Sequence, residues 1–273
     1  MTTRPSFLSV ARTLTICGIT VLPLLSLLAQ TSAPTLQNSR QEEPTSSSMV
    51  VDFGPKASNA EGKLAVSKLL AAFGGAGKVD SVISLHQRLS MLRQGQRIAI
   101  EQTIVYPDEQ AQVMTLPQGK EVRVVTPSAA FMVVGSQVRD LSPAQRASSD
   151  AALKHDFLSV LRHINDPKYV FSATGKEKLG DSEATVVDVN ADGISTQWWI
   201  APDGKLLQER FSDTGEKGPT TLTMKYSDWK SFDGLLYPTK YAVSGDTDQP
   251  AWTMTLVAMQ VNAAVDPKLF QKP

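Results

Sequence analysis

The chain has 273 residues, ample for one sizeable core or two small ones, and its 41% hydrophobic and 20% charged content is globular. Basic and acidic residues balance at 27 each, and removing residues 1–33, which hold Arg4 and Arg12 and no acid, leaves 25 basic against 27 acidic residues. A net charge of −2 without those residues argues against nucleic acid, which needs a concentrated basic surface.

The chain opens with a targeting pattern. Arg4 and Arg12 precede an apolar run of 17 residues, Thr13 to Ala29, followed by Gln30-Thr31-Ser32-Ala33. Charged, apolar and small residues in that order read as a secretory signal over residues 1–33, with cleavage after Ala29 or Ala33. The run is short for a spanning helix and contains Pro23. The expectation is an exported, periplasmic chain; the alternative is an inner-membrane anchor formed by an uncleaved signal. The single cysteine, Cys17, lies inside the run, and Ile16 stands where a lipidation site needs a small residue. After cleavage no cysteine remains, so stable disulfides are not expected.

Residues 34–58 are rich in Ser, Thr, Gln and Pro and read as a disordered linker. A folded domain is expected over 59–273. Leu64, Val66, Leu69, Leu70 and Phe73 form the apolar stripe of a helix from Ala60 to Phe73, stopped by Gly74-Gly75. Gly74-Gly75-Ala76-Gly77-Lys78 lacks the first glycine and the Ser or Thr of a phosphate loop, so it reads as a helix stop.

From Val82 the period changes to two. Ile83, Leu85, Leu89 and Met91, then Ile98, Ile100 and Ile104, Met114 and Leu116, Val122 and Val124, and Phe131 to Val134 mark about five strands. Ser142-Pro143 opens a helical region carrying Phe157, Leu158, Leu161 and Ile164, ended by Asn165-Asp166-Pro167. Strands resume at Tyr169–Ala173, Ala184–Val189, Thr196–Ala201 and Leu206–Ser212, with Asp192-Gly193 and Asp203-Gly204 as turns. The last stretch alternates most clearly. Leu222, Met224 and Tyr226 face one way, and Trp252, Met254 and Leu256 alternate with Thr253, Thr255 and Val257. The fold class is α+β: a wide antiparallel sheet of about 10–12 strands, curled into an unclosed β-barrel, with helices covering its concave face.

The residues offer little catalysis. His86 sits on the polar face of a strand, and His155 and His163 read as solvated or capping; no His or carboxylate pattern fits a metal. No nucleophile elbow is present, and Asp80, Glu101, Asp188 and Glu209 read as isolated, solvent-facing acids. Trp198 and Trp199 point to different sheet faces, so one is expected at a rim, with packing under a loop as the other reading. Met114, Met132, Met224, Trp252 and Met254 read as core or as an adaptable apolar cavity. Neither a cofactor nor a catalytic residue is expected.

Tyr226-Ser227-Asp228-Trp229, then Asp233-Gly234-Leu235-Leu236-Tyr237-Pro238, then Asn262, Asp266 and Phe270, resemble the C-terminal signature of LolA-like outer-membrane lipoprotein-sorting proteins. The likeness runs over roughly residues 60–273. It implies an unclosed antiparallel barrel with a helical lid over an apolar cavity. It also implies a periplasmic carrier or chaperone for lipoprotein acyl chains or another amphiphile. Partners would be lipidated protein or lipid cargo, with an outer-membrane acceptor or an inner-membrane exporter. The side chains expected to line the cavity are Leu222, Met224, Tyr226, Trp252, Met254 and Leu256, with Ile98 and Ile100 opposite and Phe157 and Leu161 as cover. The alternatives are an envelope-stress sensor or protein-interaction module of the same fold, and an exported hydrolase.

Overall fold

The computed structural model describes residues 14–16, 19–21, 54–55, 57–215, 218–245 and 250–273. Most of the predicted signal and linker therefore lies outside the described residues. Within the predicted signal segment, β1 (Leu14–Ile16) and β2 (Ile19–Val21) pair antiparallel as a two-stranded sheet of their own.

The domain is built on a 13-stranded sheet. Its strands in chain order are β3 (Ser84–Arg93), β4 (Gln96–Val105), β5 (Glu109–Leu116), β6 (Gly119–Val125), β7 (Ala130–Val134) and β8 (Gln137–Asp140). After the helices come β9 (Tyr169–Leu179), β10 (Ser182–Ala191), β11 (Ile194–Ile200), β12 (Leu206–Gly215), β13 (Gly218–Phe232), β14 (Leu235–Ser244) and β15 (Trp252–Val261). The spatial order is β8-β7-β6-β5-β4-β3-β15-β14-β13-β12-β11-β10-β9, antiparallel throughout. The first and last strands of the sheet in sequence, β3 and β15, meet in its middle. The two free edges, β8 and β9, are consecutive in sequence.

That topology dictates where the helices go. The chain must travel from one edge of the curled sheet to the other, and α3 (Pro143–His155) and α4 (Phe157–Arg162) are that connection. They cross the mouth and bury Leu153, Phe157, Leu158, Val160 and Leu161 in the main core. A capping box between Ser142 and Gln145 starts α3. Asp156 alone separates the two helices, ending one and capping the next by accepting from Ser159 N at 3.2 Å.

The other two helices, α1 (Ala60–Ala72) and α2 (Ala76–Ser81), precede the sheet. Asn59 caps α1 and also binds the edge strand β9. Its backbone N–H donates to Phe171 O at 3.1 Å, and its amide exchanges bonds of 2.9 and 3.0 Å with Ala173. An edge so occupied is a poor template for pairing with another chain. The approach is close enough that a Cβ on Gly62 would lie 2.6 Å from Phe171 O, so glycine is required there.

Several details depart from the sequence reading. A helix does follow the glycines: α2 begins after Gly75, whose φ of 81° favours glycine. Its Lys78 is held by Asp233 at 3.0 Å. The buried side of α1 is Ala65, Val66, Leu69 and Phe73, while Leu64 is 57% exposed. The strand β8 escaped notice because all four of its residues are exposed and leave no alternation to read. In β6 the faces are reversed. Val124 packs in a cluster on the outer face with Ala111, Phe131, Leu269 and Phe270, while charged Glu121 and Arg123 turn inward and are buried.

Candidate functional site

The concave wall is a set of cross-strand rows fixed by register. One row runs Ile98, Met91, Met254, Tyr241, Tyr226 across five adjacent strands. Beside it lie Ile100, Leu89 and Leu256. A third row runs Trp252, Val243, Met224, Glu209, Trp198. All are buried, and all the apolar members belong to the main core. Asp228 sets up one further side chain. Its φ of 54° breaks the strand alternation, so Tyr226 and Trp229, three residues apart, both face the core, with rings 6.4 Å apart.

The helix α4 lies against this wall. The Phe157 ring is 6.0 Å from Tyr226, 5.1 Å from Tyr237 and 5.0 Å from Phe73. Between α4 and the wall is a cavity of about 20 Å³, lined by Gln87, Leu89, Asp156, Phe157, Met224 and Met254 among others. That is room for about one water molecule, so a larger ligand must displace the helix.

Polar bonds fasten the lid. Ser148 Oγ of α3 donates to Asp213 Oδ1 at 2.8 Å, and Arg146 donates to the carbonyls of Thr126 and Pro127 at 3.0 Å. His155 Nδ1 donates to Glu209 Oε1 at 3.1 Å, and Tyr226 Oη donates to Glu209 Oε2 at 2.7 Å. At the joint, Tyr106 Oη donates to Asp156 Oδ2 at 3.1 Å. Burial raises the Asp156 carboxyl to about 6, against the bonds from Ser159 and Tyr106 that lower it. Burial likewise holds the Tyr106 phenol well above its ordinary value, so it stays a donor. Arg162 lies 5.1 Å over the Tyr106 ring and donates to Val82 O, tying the end of α4 to the loop before β3.

No protein-family model matches the chain, and no curated protein matches it. Solved structures do. A DUF1329 family protein from Desulfovibrio piger aligns over 77% of this chain and 97% of its own, at 12% identity and a TM-score of 0.51. A LolA superfamily protein from Nitrosomonas europaea aligns over 76% and 97%, at 12% identity and a TM-score of 0.50. The chain has the LolA-type fold.

Within that LolA-type sheet, the signature residues do structural work. The turn Asp233-Gly234 has φ of 49° and 79°, as its short hairpin requires. Asn262, at φ 57°, accepts from Ile83 N at 2.7 Å and Ser84 N at 3.3 Å and donates to Ser81 O at 2.8 Å, pinning the start of β3 to the end of β15. Asp266 caps the short 3-10 helix Pro267–Phe270.

The structure brings the ten expected cavity residues together: Leu222, Met224, Tyr226, Trp252, Met254, Leu256, Ile98, Ile100, Phe157 and Leu161 are buried in one cluster. Ile98 and Ile100 are not opposite the last strands. They stand beside them, separated from β15 only by β3. The Trp252 indole N–H has no hydrogen-bond partner among the described residues.

Three readings are corrected. His155 and Glu209 are not solvated; they are 3% and 0% exposed and paired to each other. Glu209 was legible as inward, because it is in phase with Phe211 on β12. Trp199 is not at an exposed rim. It packs on the outer face with Ala184 and Val186, donates to Glu177 at 2.7 Å and lies under Arg210. Among the described residues no group of three His, Asp or Glu side chains is arranged to hold a metal ion, and no helix is long and apolar enough to cross a membrane.

Proposed function

We propose that this chain is a diverged LolA-like carrier, exported by its N-terminal signal, that buries the acyl chains of a lipid or lipidated protein against its concave wall. The observation that carries the reading is the wall itself. Leu, Met, Ile, Tyr and Trp side chains stand in register over five strands, under α4, which with α3 makes the connection between the free edges. Met is suited to such a wall because it repacks around varied shapes. Each buried methylene of cargo contributes about 0.8 kcal/mol, which offsets the contacts α4 gives up. The mechanism is exchange: Phe157 and Leu161 leave the wall and acyl carbon takes their place. Nothing in it calls for a reacting group.

The test is native mass spectrometry of the chain purified from its own envelope, with titration of a fluorescent acyl probe. Co-purified lipid or lipopeptide and saturable probe binding are expected. A clean apo mass with no probe binding would remove the carrier reading and favour a protein-interaction role for the same fold. Trp252→Glu should abolish probe binding, and the near-isosteric Met254→Gln should weaken it with little change in melting temperature. Unchanged binding in both would exclude this face.

A further inference from the structure

The concave wall changes character beyond β3. Gln87, Gln102, Gln112 and Arg123 stand in register on four consecutive strands, a span of about 14 Å at ordinary strand spacing. All four are buried. They lie two residues along their strands from Leu89, Ile100, Met114 and Val125, the first three of which belong to the main core, so the row faces inward. It is continuous with the acyl wall, because Gln87 lines the same cavity as Leu89, Met254 and Phe157.

The amides of the row are not satisfied from within. Gln112 Nε2 donates to Gln102 Oε1 at 3.2 Å, and among the described residues Gln87 Nε2 reaches the Met259 sulfur at 3.5 Å, a weak acceptor. Gln112 Oε1 is buried with no hydrogen-bond partner among the described residues. Next to the row, Glu121 stands 3.6 Å from Arg123, and the two charges offset each other. Arg139 lies at the exposed end, donating to Met132 Sδ. Buried amides with open positions are rare and cost stability, and aliphatic side chains at these positions would make a sounder wall.

We propose that this row is the head-group subsite of the acyl site, and that it takes an uncharged head bearing a hydrogen-bond donor, a hydroxyl or an amide N–H. The inference rests on the carrier reading above. The open atom is a carbonyl oxygen, which only a donor can satisfy. A carboxylate or phosphodiester brings no hydrogen to it. The tail then lies along Leu89, Met254 and Met224, with the head on the amides.

The test uses the full chain and three ligands of one acyl tail, each displacing a fluorescent acyl probe: the methyl ester, which has no donor, the N-methylamide, which has one N–H, and the monoacylglycerol, which has hydroxyls. At least one donor ligand should bind about tenfold tighter than the ester, the gain of one good hydrogen bond; which one does so names the donor. The double variant Gln102→Leu/Gln112→Leu, which leaves neither amide without its mate, should bind all three like the ester. The longer, more adaptable pair Gln102→Met/Gln112→Met asks the same question should the leucine variant fail to fold. Equal binding of the three by the wild type would overturn the subsite and leave the carrier reading intact. A preference surviving both variants would also overturn it. Failure of all three to displace the probe would overturn the carrier reading as well.

Discussion

Asp156 joins the two lid helices, and its replacement by asparagine tests whether that joint is under electrostatic load. Both of its donors, Tyr106 Oη and Ser159 N, reach the same oxygen, Oδ2. Asparagine can place its carbonyl there and its NH₂ on the Oδ1 side, and it is a good helix cap. The carboxyl is raised from 3.8 to about 6 by burial. The native state therefore holds the proton at pH values where the unfolded chain has lost it. Stability from this group is full below the unfolded value and is lost as pH rises through about 6. A shift of about two units corresponds to about 3 kcal/mol. Asp156→Asn should thus stabilise the fold by up to about 3 kcal/mol at pH 7.5 and by almost nothing at pH 4. Urea unfolding of both proteins at pH 4, 5.5 and 7.5 measures it. Carboxylates held low by lysines, Asp192 by Lys154 and Asp203 by Lys205, change both proteins alike and cancel in the difference. A difference that is flat with pH, or that grows toward acid, would refute the reasoning.

Two further substitutions probe the frame. Asn262→Ala removes three hydrogen bonds and places alanine at φ 57°. It should cost about 2–4 kcal/mol and raise amide exchange first at Ile83 and Ser84; exchange unchanged at those amides would show that the pin is dispensable. At the buried pair, Arg123→Met alone should cost about 3–5 kcal/mol by stranding Glu121, whereas Glu121→Leu/Arg123→Met should be near neutral. Equal losses in the single and double variants, read by chemical denaturation, would argue that the guanidinium is held by something other than its carboxylate.

How far the sequence could be read depended on which side of a strand carries the information. β13 and β15 were legible because Leu222, Met224, Tyr226, Trp252, Met254 and Leu256 alternate with Thr and Lys, and one face is dry. The wall assembled from them followed once the strands were counted. β6 misled for a physical reason. Its outer face is also covered, by Leu269 and Phe270, so valines mark the outside while Glu121 and Arg123 hold the inside. Polarity assigns a face only where the other face is wet. The helix stop at Gly74-Gly75 was legible and the six-residue α2 behind it was not, because α2 is too short to show a period. His155 with Glu209 needed the third dimension, since 54 residues separate them and no spacing rule joins a helix to a distant strand.

The lid contacts divide into two kinds, and the division predicts which helix moves. In the proposed carrier, opening would exchange the apolar contacts of Phe157, Leu158 and Leu161 for acyl carbon, at little net cost. The bond of Arg162 to Val82 O is half-buried and can be exchanged for water. The bonds of α3 are different. His155 with Glu209 and Ser148 with Asp213 are buried, and breaking them would cost each of these buried groups a hydrogen bond that water cannot replace. A loaded state that keeps α3 docked and swings α4 about Asp156 avoids that penalty. Arg162→Ala should then speed entry of a fluorescent acyl probe by up to about tenfold in stopped flow, the worth of one released charge-assisted bond. Ser148→Ala should leave the entry rate unchanged while lowering stability. Entry accelerated equally by both substitutions would mean that the two helices lift as one piece, and that Asp156 is a cap and not a pivot.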